Sequence, residues 1–138
     1  MTTQRTPQLD EQVDLYRRAG EHAISVISGV SGDQWDAPAL GAWTVRTLVG
    51  HIGRAFTTVT EYLATPAASH DVHTAADYYL VALTLTDPAS IQARAEHAAR
   101  ALGEDPLAAI RKFRDAAVEA VMNAGDPLIS TAAGGMRL

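Results

Sequence analysis

The chain has 138 residues, 47% of them hydrophobic and 20% charged, which is typical of a single globular domain covering residues 1–138. Its net charge of −5, without a cluster of Lys and Arg, argues against nucleic-acid binding, because phosphate neutralisation needs clustered cations. The absence of cysteine excludes disulfides, thiolate metal sites and cysteine nucleophiles. Residues 1–6 lack the apolar core of a secretory signal, and no apolar run approaches the roughly 18 residues of a membrane span. We therefore expect a cytoplasmic protein that does not bind membranes.

The first predicted element is a long amphipathic helix. Apolar residues recur at helical spacing from about residue 8 to residue 30, and Gly32 follows as a residue that can close a helix in the left-handed conformation. The next segment, residues 33–43, is rich in proline and glycine and predicts a loop. It carries both tryptophans of the chain, Trp35 and Trp43, which either cap the ends of the helical core or form walls of a ligand pocket.

The second predicted helix carries the most informative residue of the chain. It is expected to begin after Thr44 as its N-cap and to end near Pro66. Its apolar residues form a stripe about 100° wide, as expected for a helix packed on a core. His51 flanks that stripe, about 100° from Ile52 on the helical wheel. Its imidazole can therefore point into the seam between packed helices.

Three further helical segments follow a predicted loop at residues 66–74. Both Asp87-Pro88 and Asp105-Pro106 combine an N-cap with a proline in the first turn, which is a helix-start signal. In the tail, residues 128–131 suit a short extended segment and residues 132–135 a flexible turn. The chain is therefore predicted to be all-α, a helical bundle with a short irregular or extended C-terminal tail. The three predicted segments cover residues 75–85, 88–102 and 106–124.

Other candidate functional residues lie outside the second helix. Arg114 is inside the apolar stripe of the last helix, where arginine either extends its guanidinium to water or binds a carboxylate, including that of an acidic substrate. His70 and His73 have a spacing that can share a metal ion in a helix, but they are predicted to lie in a loop.

The motif around His51 resembles a known family. The segments D-Q-W-D-A-P, residues 33–38, and G-A-W-T-V-R-T-L-V-G-H-I, residues 41–52, are similar to the N-terminal domain of mycothiol-dependent maleylpyruvate isomerases, in the DinB-like superfamily. The similarity continues through most of the chain. Its further segments are residues 75–79, 103–106 and 131–138.

This resemblance implies an up-down four-helix bundle with a divalent metal ion, most often zinc, at one end of the core. It implies that His51 is the first metal ligand and that mycothiol is the external thiol cofactor. A bound zinc lowers the pKa of a thiol, and the resulting thiolate adds to a cis double bond and permits cis–trans isomerisation. The implied function is an isomerase or thiol transferase acting on a small molecule, with Trp35 and Trp43 shaping the site and Arg114 meeting a substrate carboxylate.

The sequence departs from the family where the metal site should be completed. The family takes two further ligands, a glutamate and a histidine four residues apart, from a fourth long helix that follows a segment like residues 134–138. The 138 residues do not include that helix, and one histidine does not hold zinc tightly, because catalytic zinc sites use three protein ligands. The chain is then a fragment, a shortened relative without the chemistry, or one half of a homodimer that completes the bundle.

A bundle without its fourth helix should expose an apolar groove. This expectation supports a second functional hypothesis, a non-enzymatic helical domain that dimerises or binds a partner through the groove. A third hypothesis is a module that binds a small ligand without a metal ion. The sequence leaves these alternatives open.

Overall fold

The computed structural model describes residues 5–138, which form five helices and two short antiparallel strand pairs. Residues 1–4, part of the stretch predicted not to be a secretory signal, lie outside the described residues. The predominance of helix confirms the all-α prediction. Within the described part, no helix has the length and apolar character needed to cross a membrane. In chain order the elements are α1 (Pro7–Ile27), β1 (Pro38–Leu40), β2 (Trp43–Thr44), α2 (Val45–Leu63), α3 (Ala75–Thr84), α4 (Pro88–Ala101), α5 (Pro106–Asn123), β3 (Leu128–Thr131) and β4 (Gly134–Arg137).

Side-chain caps begin the helices at the predicted residues. The hydroxyl of Thr44 accepts a hydrogen bond from the backbone N–H of Thr47 at 3.2 Å, at the start of α2. The carboxylates of Asp87 and Asp105 cap α4 and α5 in the same way. Each cap satisfies an N–H group that has no partner within its helix, so the predicted start signals are confirmed.

The end of α1 differs from the prediction. The helix stops at Ile27, and the Ser28 hydroxyl donates to the Ser25 carbonyl at 2.7 Å. Gly32 does not adopt the left-handed conformation that was expected to close this helix. The loop that follows also contains the pair β1–β2, joined through Gly41 at φ +54°. Strands this short carry no detectable sequence period, which is why they were not predicted.

The helix α2 lies at the centre of the core and packs against both α4 and α5. Its closest approach is at Gly50, where an added Cβ would lie 2.6 Å from the backbone nitrogen of Ala99 on α4. Ala95 and Ala99 are buried, so the alanine-rich face of α4 is the face that meets α2. The main buried cluster comprises Ile24, Ile27, Val49, Phe56, Leu102, Ile110 and Ala117.

The C-terminal tail forms a β-hairpin that is hydrogen-bonded to the loop after α2. Gly135 accepts from the backbone N–H groups of Asp71 at 2.7 Å and Val72 at 2.9 Å, and its own N–H donates to the Asp71 carboxylate at 2.9 Å. This last bond, with one from the Ser69 hydroxyl, holds the pKa of Asp71 below its ordinary value. The prediction of an extended segment at residues 128–131 is confirmed. The predicted turn is confirmed at residues 132–133, but its extension to residues 134–135 is wrong, because Gly134 and Gly135 pair with β3.

The short helix α3 buries none of its residues. Leu80 is 67% exposed and Leu83 is 70% exposed, although both are large apolar side chains. Among the described residues, the exposed large apolar side chains are concentrated on α3.

Candidate functional site

The imidazole of His51 contacts the ring of Trp43 and lines a groove on the protein surface. His51 lies in the second turn of α2 and is exposed on the side that lines the groove. On its other side, the ring centroid of Trp43 is 5.1 Å from that of His51, with the planes inclined at 55°. The Trp43 indole N–H donates to the side-chain oxygen of Gln92 on α4. This hydrogen bond joins α4 to the start of β2 and holds Trp43 beside His51.

The groove beside His51 has a volume of about 850 Å³, within the usual range for small-molecule sites of about 300–1,000 Å³. Its walls are formed by α2, α3 and the C-terminal hairpin, and α4 contributes Arg94. The α2 wall follows helical spacing from His51 through Arg54, Ala55 and Thr58 to Tyr62. The groove is open along one side, so a ligand has a path to the imidazole.

Positive charge dominates the polar part of the groove. Its lining includes Arg54, Arg94 and Arg137, and no Asp or Glu lines it in the part of the chain that the structure describes. Partial burial, followed by the charges of Arg54 and Arg94, lowers the pKa of His51 below its ordinary value of 6.5. The imidazole is therefore neutral at pH 7, with a nitrogen lone pair free to accept a proton or to bind a metal ion.

Two tyrosines connect the walls of the groove. The hydroxyls of Tyr62 and Tyr78 lie 3.3 Å apart, and the backbone N–H of Ala132 in the hairpin donates to the Tyr62 oxygen at 3.2 Å. The hydrogen bond to Tyr62, together with burial, raises the pKa of Tyr78 to about 12. Both phenol groups thus link secondary-structure elements, and Tyr78 stays protonated at neutral pH.

Trp35 lies away from the groove, against the main core cluster. The guanidinium carbon of Arg46 is 5.7 Å from the centre of its ring, and Arg46 Nε lies 3.6 Å from an Asp36 carboxylate oxygen. These contacts hold the loop before α2 against the helix. Of the two tryptophans, Trp43 contacts His51, whereas the placement of Trp35 matches the cap of a helical core.

Arg114 lies in a different depression from His51. Its side chain is 19% exposed, and Nε lies 2.6 Å from a carboxylate oxygen of Asp115, its neighbour in sequence. Its methylene carbons pack at Gly20 on α1. The depression has a volume of about 460 Å³ and shares no lining residue with the groove beside His51. A role of Arg114 in substrate binding stays a prediction, and it would not involve the groove.

The described residues do not fit a metal ion by themselves. Among residues 5–138, no three His, Cys, Asp or Glu side chains lie together in a way that could hold one. The charged groups that act on His51 are arginines, which repel a divalent cation. His70 and His73 lie with ring centroids 4.2 Å apart in the loop after α2, but they also have no third ligand.

Sequence reasoning missed Arg54, Arg94, Tyr62 and Tyr78 as site residues. Arg54 and Tyr62 could have been found, because they follow His51 at intervals of 3 and 11 residues and so share its helix face. No local signal points to Arg94, because it reaches the groove only through the packing of α4 on α2.

Comparison with known families gives one match, to a model described as the mycothiol maleylpyruvate isomerase N-terminal domain, which covers residues 6–137. No curated protein matches the chain. No solved structure matches it either.

Proposed function

We propose, because this chain belongs to the mycothiol maleylpyruvate isomerase N-terminal domain family, that its groove is the site of a thiol-dependent isomerisation or thiol transfer. The observation that carries the proposal is the position of His51 in a large groove whose lining also includes three arginines, with the pKa of His51 lowered by partial burial. The thiol comes from an external cofactor of the mycothiol type, since the chain has no cysteine. The reaction then takes place in the cytoplasm on a small electrophilic substrate.

His51 prepares the thiol for reaction in this proposal. Its neutral nitrogen accepts the thiol proton, and the positive charges of Arg54 and Arg94 favour the resulting thiolate. The thiolate adds to a carbon of a cis double bond that is conjugated with a carbonyl group of the substrate. The π electron pair moves onto the carbonyl oxygen to give an enolate, and the former double bond rotates as a single bond. Elimination of the thiolate restores the double bond in the trans form. The cofactor is regenerated, and no oxidant or reductant is needed.

The metal-dependent form of this proposal gives His51 the role of a zinc ligand. It needs additional ligands from outside residues 5–138 or from a second copy of the chain, because residues 5–138 do not bring three ligands together. Metal analysis of the purified protein, with and without added zinc, distinguishes the two forms. Metal retained by the wild type and lost in His51→Ala supports the zinc form.

His51→Ala tests the proposed function directly. We expect the variant to lose most of the mycothiol-dependent isomerisation of maleylpyruvate, by about 100-fold or more, because a positioned acid–base group contributes about that factor. The measurement is the initial rate with and without mycothiol. His22→Ala is the matched control, since His22 is an exposed histidine on α1 that does not line the groove. Equal rates for His51→Ala and wild type, or no thiol-dependent rate in the wild type, would contradict the proposal.

A specific observation favours a second candidate function, dimerisation or partner binding without catalysis. The exposed apolar residues of α3 give this short helix an unpartnered face, which is typical of an interaction surface. Light scattering after size exclusion distinguishes this candidate. A dimer in the wild type that becomes a monomer in Leu80→Ser/Leu83→Ser supports it, whereas a monomeric wild type counts against self-association.

A further inference from the structure

The charge of the groove is opposite to that of the chain as a whole. The protein has 16 acidic and 11 basic residues, yet the groove is lined by three arginines and a histidine, with no acidic lining residue in the described part. A positively charged groove attracts negatively charged ligands even when the net charge of the protein is negative. The groove therefore selects anions over cations.

Two of the three arginines are available to a ligand. Arg137 donates to the backbone carbonyl of Asp126 at 3.1 Å and lies 3.9 Å from its carboxylate. In contrast, Arg54 and Arg94 have no ion-pair partner within residues 5–138, although Arg94 Nε donates to the Ser90 carbonyl at 3.3 Å. Both line the same groove as His51.

The remainder of the groove is apolar and aromatic. Val59, Leu85, Ile129 and Met136 line it together with the rings of three tyrosines. An apolar ligand body gains free energy by leaving water for such a surface. The volume of about 850 Å³ leaves room for a body of this kind beyond the arginines.

We infer that the substrate of this groove is an amphipathic organic anion, with one carboxylate bound by Arg54 and Arg94 beside His51 and an apolar body lying between α2, α3 and the hairpin. This inference rests on the proposed function in that it names the substrate class of the same groove. Arginine suits this role because its planar guanidinium donates two parallel hydrogen bonds to a carboxylate.

Calorimetric titration with three probes tests the inference. Octanoate has both the charge and the apolar body, 1-octanol has the body alone, and maleate has charge without the body. We expect octanoate to bind at least about tenfold more tightly than either of the others, because a charged hydrogen bond and a buried alkyl chain each contribute this much. Equal affinity for octanoate and 1-octanol, or for octanoate and maleate, would overturn the inference.

Charge-removing variants locate the carboxylate. In Arg54→Gln/Arg94→Gln, octanoate should bind about tenfold more weakly while 1-octanol binding is unchanged. Arg111→Gln, which removes an exposed arginine of α5 outside the groove, should bind both probes as the wild type does. Undiminished octanoate binding in the double variant, with folding verified by circular dichroism, would contradict the assignment.

The proposed thiol-dependent reaction and the proposed substrate class can be refuted independently of each other. Octanoate binding that depends on Arg54 and Arg94, in a protein without thiol-dependent activity, supports the anion site and refutes the proposed reaction. Thiol-dependent activity lost in His51→Ala, combined with no preference for octanoate, supports the reaction and refutes this substrate class.

Discussion

Gly50→Ala is expected to lower the free energy of unfolding by about 3 kcal/mol, at the upper end of what overpacking usually costs. The added Cβ would lie 2.6 Å from the backbone nitrogen and 2.8 Å from Cα of Ala99, and no side-chain rotation relieves a clash with backbone. The helices α2 and α4 must separate, and the contact between Trp43 and Gln92 is weakened with them. Urea denaturation followed by circular dichroism measures the effect.

Gly53→Ala is the matched control for Gly50→Ala. Both positions lie in α2 and gain the same helix propensity, up to about 1 kcal/mol. At Gly53 the closest atom to the new Cβ is the terminal methyl of Ile110 at 2.9 Å, which can move by a small rotation of its side chain. We expect this variant to stay within about 1 kcal/mol of the wild type. Equal destabilisation of the two variants would show that the backbone contact with α4 is not the cause.

Gly135→Ala is expected to detach the C-terminal hairpin from the loop after α2. The new Cβ would lie 1.8 Å from the carbonyl oxygen of Ser69, which is impossible without moving one of the two segments. Separation breaks the three hydrogen bonds that join Gly135 to Asp71 and Val72. At about 1 kcal/mol for each bond, the unfolding free energy should fall by about 3 kcal/mol.

The same substitution has a functional consequence, because the hairpin is one wall of the groove. We expect octanoate binding by Gly135→Ala to be lost even at temperatures where the variant is folded. Gly32→Ala is the control, since an added Cβ there meets no atom within 4 Å. A stable Gly135→Ala variant with full octanoate binding would contradict the described docking of the hairpin.

The helices were predictable because their starts are encoded locally. Thr44, Asp87 and Asp105 each cap a helix with their own side chain, and the prolines after the two aspartates strengthen the signal. The position of His51 at the edge of an apolar stripe can also be read from its own helix, and the structure places this exposed residue on the lining of the groove. These features depend on residues within one or two turns of each other.

The rest of the site depends on contacts between distant segments. The hairpin is positioned by backbone hydrogen bonds from Gly135 to the loop after α2, and backbone groups carry no sequence signal. Arg94 reaches the groove because Gly50 lets α4 approach α2 closely. The family resemblance predicted a metal-ligand role for His51. It gave no indication of the two arginines whose charges act on the same imidazole.

We propose above all that thiol and substrate meet in the groove beside His51. An NMR titration of ¹⁵N-labelled protein with mycothiol, up to about 1 mM, tests it most directly, since that range includes usual KM values. We expect chemical-shift changes to cluster at the backbone amides of His51 and Arg54 and at the indole N–H of Trp43. Changes that cluster around Arg114 and Glu21 instead, or no changes at all, would contradict the claim.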